Sequence, residues 1–566
     1  MSSAAHPTTS PASTPAPAGP ALPLLLLWAA AVGLALSGLG NLPLRDWDEG
    51  IVARVALELS QTPGYGQLLP TYWGESYANK APGLHLLIAL ALQLWRLVPG
   101  HDPAALPPEG LVRLVPALLS SLVVPLAGLI QWQLRPGNRR AALATALILL
   151  CLLPVQRHGR LAMLDGTQLS ATALLWWSLL RLEREPGRAG RWGLLAGLAG
   201  SAQLLLKAPM LLPVLVVGLV AVLLGGRLEH GPAARRPLRT VVLRAGAGLL
   251  LGLLPGLAWH GWHVLAQGSQ AAWLWLGDGA GRVLLSAGEG SDQGWRVPVI
   301  EVLEGGWPWL PLWPFALGLA WRQRQRAAGR WPLVLQLGMA VMVLPLRTQL
   351  PWYSHPLWLP FALLCGPMLA WLVDPASEPV APPLRQVARR IPALWLLLGG
   401  LALPAALLPV PALDRLRPLL LAIGIGWGAG GALLLAPSLP RRQWGLNLLG
   451  GGTALALLLL FLSPFWLWEL NETWPVRPVA TMLRRHGVEA AGLWHHDSRP
   501  SLSWYAGLPV RPLRKARDLQ ALEPGADGAV WVLSQELRAA RSWSCQPVDA
   551  AGGWQLLRCR PAAEDG

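Results

Sequence analysis

Three carboxylates lie where an apolar chain would be expected to hold none. Asp48 and Glu49 belong to the run Arg45-Asp46-Trp47-Asp48-Glu49-Gly50, which follows the first apolar segment, and Asp165 heads a later one. A carboxylate beside a membrane segment is costly unless it serves a partner or a ligand. Each is therefore a candidate catalytic group, with a general base as the first role to consider. The alternative is that Asp48 and Asp165 cap the helices that follow them.

Two lysines share the tripeptide Lys-Ala-Pro and precede apolar segments. The chain holds 46 lysines and arginines, of which only Lys80, Lys207 and Lys515 are lysine. Lysine is a compact, flexible point charge that suits a phosphate oxygen. Lys80 and Lys207 are therefore predicted to address one phosphate, with their ammonium groups within roughly 15 Å of each other. The alternative is that each merely snorkels from a helix end.

A polar turn at residues 347–356 separates two later apolar segments. Arg347, Tyr353 and His355 are candidates to bind an anion there, although an interfacial turn with an aromatic anchor has the same composition. The longest connection, residues 263–306, contains Asp278 and Arg282 as candidate supporting residues. A loop of that length is typical of a lid.

The composition indicates a membrane protein. Of 566 residues, 53% are hydrophobic and 13% are charged, and the mean hydropathy is +0.40, which exceeds the apolar content of most soluble folds. Fourteen apolar segments are candidates for membrane helices. They occupy residues 21–40, 84–99, 111–131, 141–157, 165–182, 192–206, 208–225, 241–262, 307–321, 331–347, 354–374, 392–410, 416–436 and 445–466.

Arginine clusters between these segments indicate which loops face the cytoplasm. The net charge of +16 is spread over short clusters and is not gathered in one basic domain, so no nucleic-acid partner is expected. From Arg135 onward the clusters occupy every second loop, as the positive-inside rule predicts for cytoplasmic connections. The loop at 41–80, Asp165 and all residues after 467 are then expected to face the outside.

That assignment leaves one apolar segment too many, because three segments separate the 41–80 loop from Asp165. The stretch at 84–99 is short and contains His85, Gln93 and Arg96, so it is predicted to be a short or interfacial helix. Thirteen true spans place the N-terminus in the cytoplasm. The chain is thus expected to be a multi-pass protein of the plasma (inner) membrane with its C-terminal region outside.

Both ends of the chain differ from the membrane domain at residues 21–466. Residues 1–20 are rich in Pro, Ala, Ser and Thr and are predicted to be a disordered tail. Residues 467–566 mix strand-like and helical stretches, which is typical of a small α/β domain. If that domain faces an oxidising compartment, Cys545 and Cys559 are predicted to form a disulfide.

The ordered set of motifs resembles the bacterial membrane glycosyltransferases of the protein O-mannosyltransferase and lipid A aminoarabinose transferase type. The resemblance implies an all-α polytopic membrane fold of the GT-C type, with about 13 transmembrane helices and a small C-terminal α/β extracytoplasmic domain. Residues 499–505 also look like the beginning of a strand in that outer domain. The motifs that carry the resemblance are Asp48-Glu49, Tyr77-Ala78-Asn79-Lys80-Ala81-Pro82, Leu164-Asp165, Lys207, Trp307-Pro308-Trp309-Leu310 and Leu350-Pro351-Trp352-Tyr353.

The chain departs from the family pattern at three places. Ile51-Val52 replaces an Arg-Tyr pair and leaves Arg54 as the nearest charge. Asn79 replaces a glutamate and leaves Glu75 as the nearest carboxylate, and a histidine of the long outer loop is replaced near Asp278. These acidic and histidine positions resemble metal ligands in the aminoarabinose transferases. Because they are replaced in this chain, it has no clear ligand set for a divalent cation. Metal dependence and the identity of the sugar therefore stay open.

The resemblance implies sugar transfer from a polyprenyl-phosphate donor to a lipid, glycan or protein acceptor, with inversion at the anomeric carbon. Asp48 is then the expected base, Glu49 its supporting carboxylate, and Asp165 the group that orients the acceptor or a nearby cation. Two other functions stay open: a transporter or flippase of lipid-linked sugar, and a lipid-linked glycan ligase or polymerase. The residues expected to bind the donor phosphate are Lys80, Lys207, Arg347, Tyr353 and His355.

Overall fold

The computed structural model describes residues 19–100, 105–228, 238–276, 294–347, 349–467, 475–495, 498–522, 524–525, 528–535 and 543–561. Apolar sequence in lipid must satisfy its backbone hydrogen bonds internally, which favours helices, and each of the fourteen apolar segments contains helix. The first ten helices are α1 (Ala21–Leu36), α2 (Ile51–Gln61), α3 (Gly83–Arg96), α4 (Glu109–Ser121), α5 (Val123–Leu134), α6 (Arg139–Leu150), α7 (Leu153–Gly159), α8 (Leu164–Arg184), α9 (Ala189–Lys207) and α10 (Leu211–Leu228).

The second half of the membrane domain contains one helix, α16, that is almost entirely buried. It carries Trp358 and Trp371 into the largest apolar core. The helices of this half are α11 (Leu238–Gln267), α12 (Trp273–Trp275), α13 (Arg296–Gly305), α14 (Trp313–Arg322), α15 (Ala327–Val343), α16 (His355–Val373), α17 (Pro382–Ala388), α18 (Ile391–Leu407), α19 (Pro411–Asp414), α20 (Arg417–Leu434) and α21 (Leu439–Leu462).

Several helices are long and apolar enough to cross a membrane. Among the described residues there are seven such helical stretches, or eight if α6 and α7, bent by 60° relative to each other, count as one span. The chain is therefore a multi-pass membrane protein, while the number thirteen stays a prediction. Helix α3 has 14 residues, which gives about 21 Å against ~30 Å of hydrocarbon. Its length agrees with the prediction of a short helix.

Helices α8 and α9 form an antiparallel hairpin that sets the position of the site. A short turn at residues 185–188 joins them, so the first turn of α8 lies beside the last turn of α9. Glycines on α9 let α11 pack closely, since a Cβ on Gly193 or Gly197 would lie 2.2 Å from a backbone oxygen of α11. We call the Asp165 end of α8 the site end, and the Glu183 end the far end. The two are about 27 Å apart.

Loops that carry arginine meet one another at the far end. Arg135 lies 3.1 Å from a carboxylate oxygen of Glu378 and donates to Gln323 at 2.7 Å, and the Gln323 amide donates to Glu378 at 2.7 Å. Asn138 donates to the backbone of Ser377 at 2.7 Å and caps α6. We call Arg135, Asn138, Gln323 and Glu378 the far-end network. It joins three loops that the sequence assigns to one side of the membrane.

The loop after α1 is compact. A single π-type turn, Asp46–Gly50, leads directly into α2, and a two-residue hairpin, β1 (Thr71–Tyr72) and β2 (Glu75–Ser76), follows. Neither α2 nor α8 has a side-chain hydrogen bond at its N-cap, so the capping interpretation of Asp48 and Asp165 is wrong.

The C-terminal region is an α/β domain, as predicted. Its sheet has the order β4-β3-β5-β7-β6, with β3 parallel to both β4 and β5 and the other two pairs antiparallel. Cys545 and Cys559 face each other on β6 and β7 and are disulfide-bonded. The elements are α22 (Val476–Arg485), β3 (Ala491–Leu493), α23 (Pro500–Ala506), β4 (Val510–Pro512), β5 (Val530–Ser534), β6 (Trp543–Ala551) and β7 (Trp554–Pro561).

The expectation of a strand beginning within residues 499–505 is wrong. These residues form α23. Pro500 occupies the first helical position, where its missing N–H costs nothing, and Gly507 follows the helix in the left-handed conformation at φ 77°. Proline at the start and glycine just past the end are the local signals of a short helix.

Candidate active site

Asp165 and Lys207 form an ion pair at the site end. The Lys207 Nζ lies 3.0 Å from Asp165 Oδ1, and both side chains are largely buried. The same ammonium lies 4.8 Å from the ring centroid of Tyr353, within cation–π range. Lys207 is the last residue of α9 and precedes a turn of 3₁₀ helix. The Lys-Ala-Pro motif therefore lies at a helix junction, which leaves the lysine side chain free to reach across to α8.

Asp48 lies within electrostatic reach of this pair. Its half-buried carboxylate has no hydrogen-bond donor among the described residues, and burial raises its pKa from 3.8 to about 7. The Asp165 charge adds to that rise, whereas the Lys207 and Lys80 charges oppose it. Asp48 thus lies within electrostatic reach of each of these three side chains. The separation of roughly 15 Å between the two ammonium groups stays a prediction.

Glu49 plays a different part from its neighbour. It is fully buried and accepts both prongs of the Arg113 guanidinium, at 2.7 and 2.6 Å, together with the backbone N–H groups of Ala162 and Arg45. With four hydrogen bonds its oxygens are saturated, so they are not available to take a proton from a substrate. Glu49 joins the loop at residues 41–80 to the membrane helices.

Sequence reasoning missed Arg113. It is fully buried in α4 and donates to the backbone oxygens of Leu39, Leu42 and Pro43 as well as to Glu49. One guanidinium therefore fixes the segment that leads into Asp48. Its signal was a single arginine inside an otherwise apolar segment, which is expensive unless the charge is paired.

An apolar cavity of about 510 Å³ begins at the ion pair. It is lined by α8, α10, α15 and the first turn of α16, with Gln168 and Thr172 as polar residues below Asp165. Leu212 and Met342 on its rim are 67% and 43% exposed. Since exposed apolar side chains on membrane helices face lipid, the cavity opens sideways toward the hydrocarbon.

His355 lines the same cavity. It is buried, and neither ring nitrogen has a well-formed hydrogen bond, the carbonyl of Trp352 being its nearest acceptor. His158 packs edge-on against it at 5.1 Å and is itself satisfied by Pro154 and Arg157. A ligand group at the cavity mouth would give His355 the partner it lacks.

The hairpin near Asp48 is organised by Glu58. This carboxylate receives the Thr71 hydroxyl at 2.6 Å, the Trp73 N–H at 2.7 Å and Arg54 Nε at 2.6 Å. The Arg54 guanidinium also lies 3.6 Å from the centroid of the Trp73 ring and holds that residue in a left-handed turn at φ 54°. Arg54 thus supports the hairpin, and Glu75 is exposed on its outer strand.

Of the three remaining sequence candidates, the structure describes one, and it does not line the cavity. Arg347 is exposed and is not among the residues that line it. Asp278 and Arg282 lie outside the described residues. In the part of the chain that the structure describes, no three His, Cys, Asp or Glu side chains come together as metal ligands, and Glu49 and Asp165 are already engaged, so we derive no step through a metal.

Comparison with known proteins supports the resemblance. The family model described as dolichyl-phosphate-mannose-protein mannosyltransferase matches residues 83–224. An undecaprenyl phosphate-alpha-4-amino-4-deoxy-L-arabinose arabinosyl transferase from Pectobacterium carotovorum subsp. carotovorum (strain PC1) is 29% identical over 363 residues, which are 60% of this chain and 59% of the relative. The match thus spans less than two thirds of that relative's length.

The fold comparison covers nearly the whole chain. The crystal structure of ArnT from Cupriavidus metallidurans bound to undecaprenyl phosphate has a TM-score of 0.66 at 17% identity, and covers 96% of this chain and 99% of that one. The apo structure of the same protein has a TM-score of 0.66 at 16% identity, with 95% and 98% covered. This chain therefore has the ArnT fold, and its residues 83–224 are similar to the protein mannosyltransferase family.

Proposed function

We propose that this chain is a membrane glycosyltransferase that moves a sugar from a polyprenyl-phosphate donor to an acceptor hydroxyl group. One observation carries the proposal. Asp48, a carboxylate with a pKa of about 7 and no hydrogen-bond donor among the described residues, lies within electrostatic reach of the Lys207–Asp165 ion pair. That ion pair lines an apolar cavity that opens to lipid. A base, an anion site and an apolar channel thus meet at one point.

The donor lipid supplies a ligand with two halves that fit this arrangement. Its hydrocarbon chain fills the apolar cavity between α8, α10 and α15, entering from the bilayer past Leu212 and Met342. Its phosphate meets Lys207, with Tyr353 and His355 beside it and Lys80 reaching in from the loop. Arg347 is exposed near the same turn and adds positive charge on the approach.

The reaction needs one proton transfer and one displacement. The Asp48 carboxylate takes the proton of the acceptor hydroxyl, and the acceptor oxygen attacks the anomeric carbon. The bond from that carbon to the phosphate oxygen breaks, and its electron pair leaves with the polyprenyl phosphate. The lysines stabilise the charge that develops on the departing oxygen. Attack opposite the leaving group inverts the anomeric centre.

Asp165 has two effects in this scheme. It orients the Lys207 ammonium through the 3.0 Å contact. Its negative charge also helps to keep the pKa of Asp48 near neutrality, where a general base is most effective. Glu49 does not contact the substrate in this scheme. Its four hydrogen bonds hold the turn that carries Asp48.

We place the site end and the C-terminal domain outside the cytoplasm, in the plasma (inner) membrane, with the N-terminus in the cytoplasm. The arginine-rich loops of the far end support this orientation. The disulfide between Cys545 and Cys559 supports it as well, because such bonds persist in oxidising compartments.

The test uses purified protein in sealed proteoliposomes with a polyprenyl-phosphate sugar and a cell-envelope extract. Release of polyprenyl phosphate and transfer of label are measured together, and the mass of the product identifies a hexose or pentose on a lipid, glycan or protein. The wild type is expected to release the lipid phosphate in step with transfer. Label that crosses the membrane with no release of phosphate would instead favour the transporter or flippase.

A further inference from the structure

We propose that the C-terminal domain is part of the catalytic centre, and that Asp46, Ser501 and Tyr505 are positioning residues that hold the turn carrying Asp48. The proposal rests on the proposed function. It assigns a role to the segment at residues 499–505 and gives the outer domain a task in the chemical step, beyond any part in recognising the acceptor.

Asp46 connects the two parts directly. It is buried two positions before Asp48, and forms an ion pair with Arg499 and hydrogen bonds to both the hydroxyl and the backbone N–H of Ser501. A carboxylate with these donors has no spare capacity for a substrate. It ties the π-type turn to the first residues of α23.

Gly50 shows how closely the two backbones approach. A Cβ at this position would lie 2.7 Å from the Ser501 nitrogen and 2.8 Å from the Pro500 carbonyl carbon. Contacts that short do not occur, so any side chain here would push α23 away from the turn. The loop and the domain therefore meet as backbone against backbone, with no room for a sliding interface.

Tyr505 forms the second connection. Its hydroxyl accepts the Leu44 N–H at 2.7 Å and donates to Glu109 at 2.8 Å. Arg477 of α22 pairs with the same glutamate and lies over the Tyr505 ring. The Tyr505 hydroxyl thus joins the loop at residues 41–80, helix α4 and the C-terminal domain. Burial, followed by the Glu109 charge, raises the pKa of Tyr505, so the hydroxyl keeps its proton as the donor.

The two connections and Glu49 hold the turn from opposite sides. Arg113 of the membrane domain donates hydrogen bonds to Glu49. On the other side, residues of the C-terminal domain form hydrogen bonds with Leu44 and Asp46. Apolar residues of the loop, among them Leu44 and Val52, belong to the same core as Leu502 and Trp504 of α23. Asp48 is the acidic side chain of this turn that neither side engages.

The test compares Tyr505→Phe, Ser501→Ala and the double variant with wild type. Ser544→Ala, on the exposed face of β6, is the matched control. Because a displacement near 1 Å can cost about 100-fold, the double variant is expected to lower kcat by about 10-fold or more, with the donor KM changed by less than about twofold. The pH at which kcat reaches half of its maximum, which reports the pKa of Asp48, should also shift. In an Asp48→Asn background the same double change should lower the residual rate by less than about twofold.

Two results would overturn the proposal. One is a double variant whose kcat and pH midpoint equal those of the wild type. The other is a double change that lowers the rate as much in the Asp48→Asn background as in the wild type, which would indicate a general structural effect. If the wild type itself shows no transfer, the proposed function fails separately. Amide hydrogen exchange at residues 44–50 then decides the positioning claim, with faster exchange in the double variant supporting it and unchanged exchange overturning it.

Discussion

The two ends of α8 treat buried charge in opposite ways. At the far end, Arg135, Gln323 and Glu378 satisfy one another and hold loops together. At the site end, Asp48 is left without a hydrogen-bond donor from the described residues and its pKa rises to about 7. The same residue types therefore hold loops together at one end and, in the proposed function, supply a base at the other. Stability and activity should separate when each end is altered.

The largest expected effect is on the chemical step. Asp48→Asn keeps the shape of the side chain and removes its proton affinity, so transfer should fall by about 100-fold or more while donor binding survives. Asp414→Asn is the matched control, an exposed aspartate that pairs with Arg417. Rates are measured by release of polyprenyl phosphate. Normal turnover by Asp48→Asn would remove this residue as the base.

The same variant should not weaken the fold. The pKa of Asp48 is about 7 in the folded protein, above its ordinary value of 3.8, so ionisation between those pH values costs stability as the pH rises. At pH 8 that cost is fully present, and Asn removes it. At pH 8, Asp48→Asn is expected to unfold at or above the wild-type unfolding temperature. A clearly lower unfolding temperature would contradict the claim that the ionised Asp48 carboxylate destabilises the fold.

Donor binding should depend on Lys207. Lys207→Met removes a charge-assisted contact to the phosphate, worth about 2 kcal/mol, or roughly 30-fold in donor affinity. Lys515→Met changes an exposed lysine of the C-terminal domain and serves as the control. Affinity is measured by titrating polyprenyl phosphate in nanodiscs. Equal affinities in the two variants would exclude Lys207 from the phosphate site.

The far end should respond in stability alone. Glu378→Gln removes the charge that pairs with buried Arg135 and is expected to cost about 1 to 2 kcal/mol, visible as a lower unfolding temperature. Transfer per folded molecule should remain at the wild-type rate. A lower kcat with unchanged stability would mean that the two ends are not separate.

The smallest effect is a shift in pH dependence. Activity should rise with pH through about 7, because Asp48 must lose its proton to act as a base. Asp165→Asn removes a negative charge that raises this pKa, so the midpoint should move to lower pH. Asp48→Asn should lose the rising limb altogether. A pH profile of kcat for each variant decides the point.

Rare charges made much of the site predictable. Asp48, Lys207 and Asp165 stand out in the sequence because an ionised group in an apolar chain is costly unless it has a partner or a ligand. Arg113 was not singled out, since it is one of many arginines and its partner Glu49 lies 64 positions away. The contact between Leu44 and Tyr505 spans 461 positions, and no local pattern encodes it. Residues 499–505 were misjudged because seven residues are too few to separate helical from strand periodicity.

The sideways opening of the cavity determines how a ligand arrives. Under the proposed function, the lipid donor enters by diffusion in the plane of the bilayer, so occupancy follows its mole fraction among the membrane lipids and not its amount per volume of buffer. Diluting the same nanodiscs tenfold in water should leave the occupancy unchanged, whereas adding inert phospholipid should lower it. In the proposed function, the mole fraction of the donor in its leaflet therefore determines how much of the protein is occupied.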